Sequence, residues 1–264
     1  MTRVLAVVLL CIAIPALGND AAWSPPENPD PRAILDEARA DRHAGRYAES
    51  LAKHVWFHDN ALKLDRALAG VRLSFALSDW KQLADRYPPA LARMREIRDR
   101  DERRVMENKA DYNAFHDAVR LNEYLKETDR TVHLFRWLDE NDPELAERSF
   151  SVARDTLIAS GELDLCAKYV GDLESYREEL ETLLERQEVM RQAVGGASAE
   201  RTTDRLRNHL AYDLLTDIAT LVMIGRLDQA RAMVELARAE FGDVDPATIE
   251  AAMNGELPDL GEFM

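Results

Sequence analysis

The sequence predicts an all-α fold, and three observations carry that reading. From Ala33 to Phe241 the chain is rich in Ala, Leu, Arg and Glu, and its apolar residues recur at steps of three and four. Only 11 glycines occur in 264 residues, too few for the many tight turns of an all-β domain, and no stretch alternates with period two. A short pattern also repeats: a glycine, a variable residue, an apolar residue, then an acid one or two places on. It occurs at Gly45-Arg46-Tyr47-Ala48-Glu49, Gly161-Glu162-Leu163-Asp164 and Gly225-Arg226-Leu227-Asp228. Glycine can take the left-handed conformation that stops a helix, and an acid in the following first turn favours the next helix dipole. The pattern therefore reads as one helix ending and another beginning at once.

In chain order, residues 1–18 read as a cleavable export signal. Arg3 begins it, Val4 to Ile14 is an unbroken apolar run of 11 residues, Pro15 breaks the run, and Ala16-Leu17-Gly18 offers small residues for cleavage. The run is too short for the roughly 20 residues of a spanning helix, so a periplasmic or secreted chain with no membrane span is expected. Residues 19–31 carry Pro25, Pro26, Pro29 and Pro31 and read as an extended linker. A helical domain over 32–255 follows. Tyr47, Leu51, Val55, His58 and Leu62 fall on one helical stripe, and so do Leu206, Leu210, Leu214, Ile218, Leu221 and Val222. Ser78-Asp79-Trp80 reads as a helix start without glycine, and Asp129-Arg130-Thr131 as a weaker one. Asp245-Pro246 reads as the start of a short last helix that Gly255 ends, Gly195 to Ser198 as a loop between helices, and Asn141-Asp142-Pro143 as a turn that closes a helix pair. The segment 256–264 reads as an acidic, solvated tail.

Charge narrows the function. Asp and Glu number 49 against 34 Lys and Arg, a net −15, which argues against a nucleic-acid surface. The one basic cluster, Arg93 to Arg104, holds six arginines interleaved with four acids. It reads as a salt-bridged solvent face with pairs Glu96–Arg100 and Asp99–Arg103, or as a dock for an acidic partner or the chain's own tail. Once Cys11 leaves with the signal, Cys166 stands alone and reads as a small buried hydrophobe.

Spacing suggests repetition. Tyr47 to Trp80 is 33 residues, Thr131 to Leu163 is 32, and Leu163 to Leu227 is 64. A period near 34 with a turn between two helices resembles the tetratricopeptide repeat. Gly45-x-Tyr47-x-Glu49 followed by Leu64-Asp65, and Gly225-x-Leu227 followed by Val244-Asp245-Pro246, are similar to its second helix and closing turn. Arg66 stands where that family usually has proline. The resemblance implies a right-handed superhelix of about five to six helix pairs whose first helices line a concave groove.

Few motifs carry chemistry. His54 and His58 lie one turn apart, but Val55 replaces the Glu of a zincin helix and no third ligand is nominated, so both read as core residues. His58 and Asp59 are neighbours on a helix and cannot face each other for acid–base work. No nucleophile elbow, phosphate-cradling glycine loop or CxxC is found. No catalytic residue, metal or cofactor is therefore expected. On the groove helix implied by the resemblance, Asn113, His116 and Arg120 form a polar stripe backed by Phe115, Val119 and Leu121, and Arg72 could join them. The expected function is a scaffold holding a protein or peptide in the cell envelope. A cell-envelope enzyme with an unrecognised site, and a self-associating structural domain, remain open alternatives.

Overall fold

The structure is a computed structural model that describes residues 23–107, 111–194, 196–242, 244–259 and 261. The export-signal reading of residues 1–18 lies outside the described residues, as do positions 260 and 262–264 of the acidic tail. The described chain is all-helical, with no strand. It divides into two compact units within the helix that starts at Pro88, between Ala90 and Leu91.

The first unit holds α1 (Pro31–His43), α2 (Tyr47–Leu64), a 3-10 turn (Arg66–Leu68), α3 (Ala69–Leu73) and α4 (Phe75–Ala84). Asp30 caps α1 by accepting from the Arg32 amide, and Pro31 is the first helical residue. Gly45 takes φ +78°, Gly45 N–H donates to Arg42 O, and Arg46 N–H donates to Asp41 O. That bond pattern turns α1 sharply into α2. Leu35, Phe57, Ala61, Leu68 and Ala76 form one core cluster.

The buried stripe of α2 is Ser50, Lys53, His54, Phe57, His58 and Ala61. Tyr47, Leu51, Val55 and Leu62 are only half-buried, so the apolar pattern points one position away from the true inner face. Ser50 and Lys53 occupy that face because they find partners there: Ser50 donates to Ala38 O at 2.7 Å, and Lys53 reaches Asp41 at 2.7 Å. A second correction concerns Ser78-Asp79-Trp80, which lies inside α4. The break falls at Ser74, and Trp80 is a buried core residue. The segment 23–29 before α1 is neither helix nor strand, with a bend at 27–28, and Trp23 packs edge-on against Trp56 with 6.4 Å between ring centroids while Lys53 lies 5.7 Å from the Trp23 ring.

The second unit takes up the rest of α5 (Pro88–Glu107), then α6 (Tyr112–Leu125), α7 (Asp129–Asn141), α8 (Pro143–Ala159), α9 (Leu163–Tyr169), α10 (Leu173–Val194), α11 (Gly196–Met223), α12 (Leu227–Glu240) and α13 (Pro246–Met253). The turns at Gly161 and Gly225 repeat the hydrogen-bond pattern of Gly45, and Asp142 and Asp245 cap α8 and α13 ahead of their prolines. α6 ends differently, on Lys126 at φ +58°, a conformation lysine adopts at a cost that glycine escapes.

Two apolar clusters fill this unit. One gathers Phe115, Phe135, Leu138, Leu145, Phe150, Leu157 and Cys166 from α6 to α9. The other gathers Leu214, Leu215, Ile218, Met233, Phe241 and Ile249 around α11. From Leu210 to Leu221 every residue of α11 except Asp213 is buried, while Leu206, expected on the inner stripe, is 44% exposed.

One arginine of α5 departs from the salt-bridged solvent face that the others form. Arg98 is buried and donates to Asn122 Oδ1 at 3.0 Å and to Glu127 at 2.7 Å. Asp99 pairs with Arg98 and Arg130 instead of Arg103, and Arg130 also binds Glu102. These pairs tie α5 to α6 and α7, which spacing within one helix could not reveal.

Candidate functional site

The site is built where α8, the 170–172 turn, α10 and α11 meet. Phe150, Leu157 and Ile158 bury one face of α8, which sets Arg154 on the same side, three residues before Leu157. Arg154 is thereby carried into the protein, where its guanidinium needs anions. Asp217 supplies one at 3.4 Å and Asp213 another at 2.6 Å, both from α11. Asp217 also accepts from Tyr176 Oη at 2.9 Å and from the Gly171 amide at 3.0 Å. Gly171 is required there by close approach: a Cβ would lie 2.9 Å from Tyr176 Cε2 and 3.3 Å from Asp217 Oδ2.

The electrostatics follow from burial. Burial opposes the charge on Arg154, but Asp217 and Asp213 more than offset it and hold the guanidinium above its ordinary value. Burial pushes the Asp217 carboxyl up, while Arg154, Tyr176 and the Gly171 amide pull it back. The Tyr176 hydroxyl is raised well above its usual range by burial and by the Asp217 charge. Arg154 Nη1 and Nη2 are held by Asp217 and Asp213, and Asp217 by Tyr176 and Gly171, so the network fixes geometry, although Arg154 Nε is buried without a hydrogen-bond partner among the described residues.

Two cavities open over it. The smaller, of about 270 Å³, is walled by Arg148, Ser151, Arg154, Tyr169 and Tyr176. The larger, of about 530 Å³, runs between α10 and α11, walled by Thr182, Leu183, Arg186, Leu206, His209 and Leu210. Ser175, Glu179 and Asp213 line both, so the two form one cleft with the Arg154–Asp217 network in its floor.

The residues singled out by sequence fall in two places. Asn113, His116 and Arg120 do share one side of α6: Asn113 is exposed and the other two half-buried. His116 packs against Tyr112 at 5.9 Å between centroids, and Arg120 binds Glu123. This side of α6 adjoins the polar edge of α8, since the Tyr112 hydroxyl feels the charge of Arg148 and the Glu123 carboxyl that of Asp155. Arg72 belongs to the other unit. It is 5% exposed, and its Nη1 lies 3.1 Å from His58 Nδ1. Arginine can only donate, so that ring nitrogen accepts.

His54 and His58 are both buried core residues. His54 stacks on Trp80 at 6.0 Å and His58 meets the same ring edge-on at 6.1 Å. Burial, then the charges of Arg42 and Arg39, press the His54 pKa down to about 3. Cys166 is completely buried and its thiol is pushed up to about 11, chiefly by burial.

Sequence reasoning missed Arg154, Tyr176, Asp213 and Asp217. One signal was present: Asp217 is the only charge between Leu214 and Leu221, inside an otherwise uncharged helical run. In so apolar a run an acid is a candidate for burial, and a buried acid needs a partner. No family model matches the chain, and no curated protein or solved structure matches it.

Proposed function

We propose that this chain is an exported helical-repeat scaffold of tetratricopeptide type, with about five to six helix pairs in a right-handed superhelix, that holds another protein or a peptide in the cell envelope. The observation that carries the reading is the cleft: two adjoining cavities with three shared lining residues, open between the walls of α8, α10 and α11. Its floor is a buried ion-pair network, so its shape exists before any ligand arrives, and preorganisation lowers the cost of binding. The α6 stripe of Asn113, His116 and Arg120 adjoins α8 and extends the polar surface a partner meets on the way in. Arg72 is enclosed beside His58 and offers a partner little surface, so it stands outside the proposed contact. The reading assigns the protein no catalysis, because the most deeply buried acid of the cleft is engaged by Arg154, Tyr176 and Gly171.

Selection of displayed random 12-residue peptides against the full chain tests this. Selected peptides should bind the wild type and lose at least tenfold in affinity with Thr182→Trp, which places a large ring in the cleft from an exposed position. Unchanged binding to that variant would remove the cleft from the proposal.

A further inference from the structure

The larger cavity has a direction. At one end of its α10 wall stand Glu178 and Glu179, and seven residues on, about two turns or 10 Å, stands Arg186. Across from them α11 contributes Asp213 near the acidic end, and Leu206 and Leu210 as apolar wall. Arg154 is enclosed and offsets part of the charge of Asp213 and Asp217, which leaves Glu178 and Glu179 as the acidic end. Among the described residues no cation pairs with Glu178 or Glu179, although both side chains are exposed. The field at Glu179 is negative: its carboxyl is raised by partial desolvation in the cleft and by the Asp213 and Asp217 charges. Leu206 is 44% exposed on the same wall, so an occupant finds apolar contact beside the charge. The chain as a whole, at −15, attracts cations to any such place.

We infer that this cleft takes a basic segment of a partner polypeptide, one Lys or Arg side chain reaching Glu179 and Asp213 while its aliphatic neighbours lie on Leu206 and Leu210. Charge complementarity selects the partner and apolar burial supplies the affinity. The inference rests on the scaffold reading and adds the chemistry of the ligand.

Fluorescence anisotropy on the full chain tests it, with capped, labelled 12-residue peptides of repeating Lys-Leu-Ala, Glu-Leu-Ala and Gln-Leu-Ala. The Lys peptide should bind at least tenfold more tightly than the other two. Glu178→Gln with Glu179→Gln should weaken it at least tenfold, while Glu235→Gln with Glu250→Gln, an equal charge change on α12 and α13, should shift it less than twofold. Equal loss in both double variants would mean general attraction to an acidic chain and would overturn the inference. Preferred binding of the Glu or Gln peptide, abolished by Thr182→Trp, would overturn the cationic ligand yet leave the scaffold reading standing. If Thr182→Trp changes the binding of no peptide, both fall.

Discussion

Arg154 and Asp217 are 63 positions apart in sequence and meet at 3.4 Å with side chains each 4% exposed. The pair joins α8, part of the apolar cluster of α6 to α9, to α11, the centre of the other cluster. A guanidinium in that position is tolerable only with its anions in place.

Removing one partner should therefore be costly. Asp217→Ala leaves Arg154 buried with Asp213 alone and is expected to lose about 3–5 kcal/mol of stability in urea titration. The double variant Arg154→Met with Asp217→Ala should recover at least about 1 kcal/mol of that loss, because the orphaned charge is gone. Additive losses would show that the pair is not coupled.

Gly171→Ala tests the close approach beneath the cleft. Its Cβ would meet Tyr176 at 2.9 Å, which forces the ring or the turn to move and should cost about 1–3 kcal/mol. Gly70→Ala, where a Cβ meets nothing within 4 Å, is the matched control and should change stability by well under 1 kcal/mol. Equal effects at the two positions would remove Gly171 from the network.

Acid should destabilise the first unit through His54. Its folded pKa, about 3, lies below the ordinary 6.5. The unfolded chain therefore takes up the proton first, and stability present above pH 6.5 is lost as pH falls towards 3. Between pH 7.5 and 4.5 this one group should account for about 3 kcal/mol. His54→Leu should lose correspondingly less stability over the same interval. Identical pH profiles for the two proteins would show that His54 does not titrate on unfolding.

The Cys166 thiol should be inert in the native protein. A thiol buried and raised to about 11 presents almost no thiolate at pH 8. A chromogenic disulfide reagent should modify it only at the rate of unfolding, and at once in 6 M guanidinium. Rapid native labelling would contradict its placement.

The parts legible in sequence were those set by local chemistry. Gly45, Gly161, Gly225 and Gly255 announce left-handed turns because few other residues adopt positive φ, and all four do so. Asp-Pro at 245–246 announces a capped helix start for an equally local reason, and the turn at 142–143 proves to be a second one. The failures were non-local. The inner face of α2 is written in Ser50, Lys53 and His54, which look like surface residues until Ala38, Asp41 and Trp80 stand opposite. Lys126 turns left-handed against its own preference, and Ser78 to Trp80 imitates a cap within a continuous helix. That Asn113, His116 and Arg120 share a side of α6 follows from spacing along one helix. The Arg154–Asp217 floor of the cleft could not be found that way, since nothing in the spacing of α8 or α11 says which faces meet.

Hydrogen exchange read by mass spectrometry, on the full chain with and without a selected peptide, tests the central claim most directly. Added peptide should slow exchange at residues 175–186 and 206–213, the two walls of the cleft, and leave α12 and α13 unchanged. Protection confined to segments away from those walls would place the contact elsewhere and contradict it.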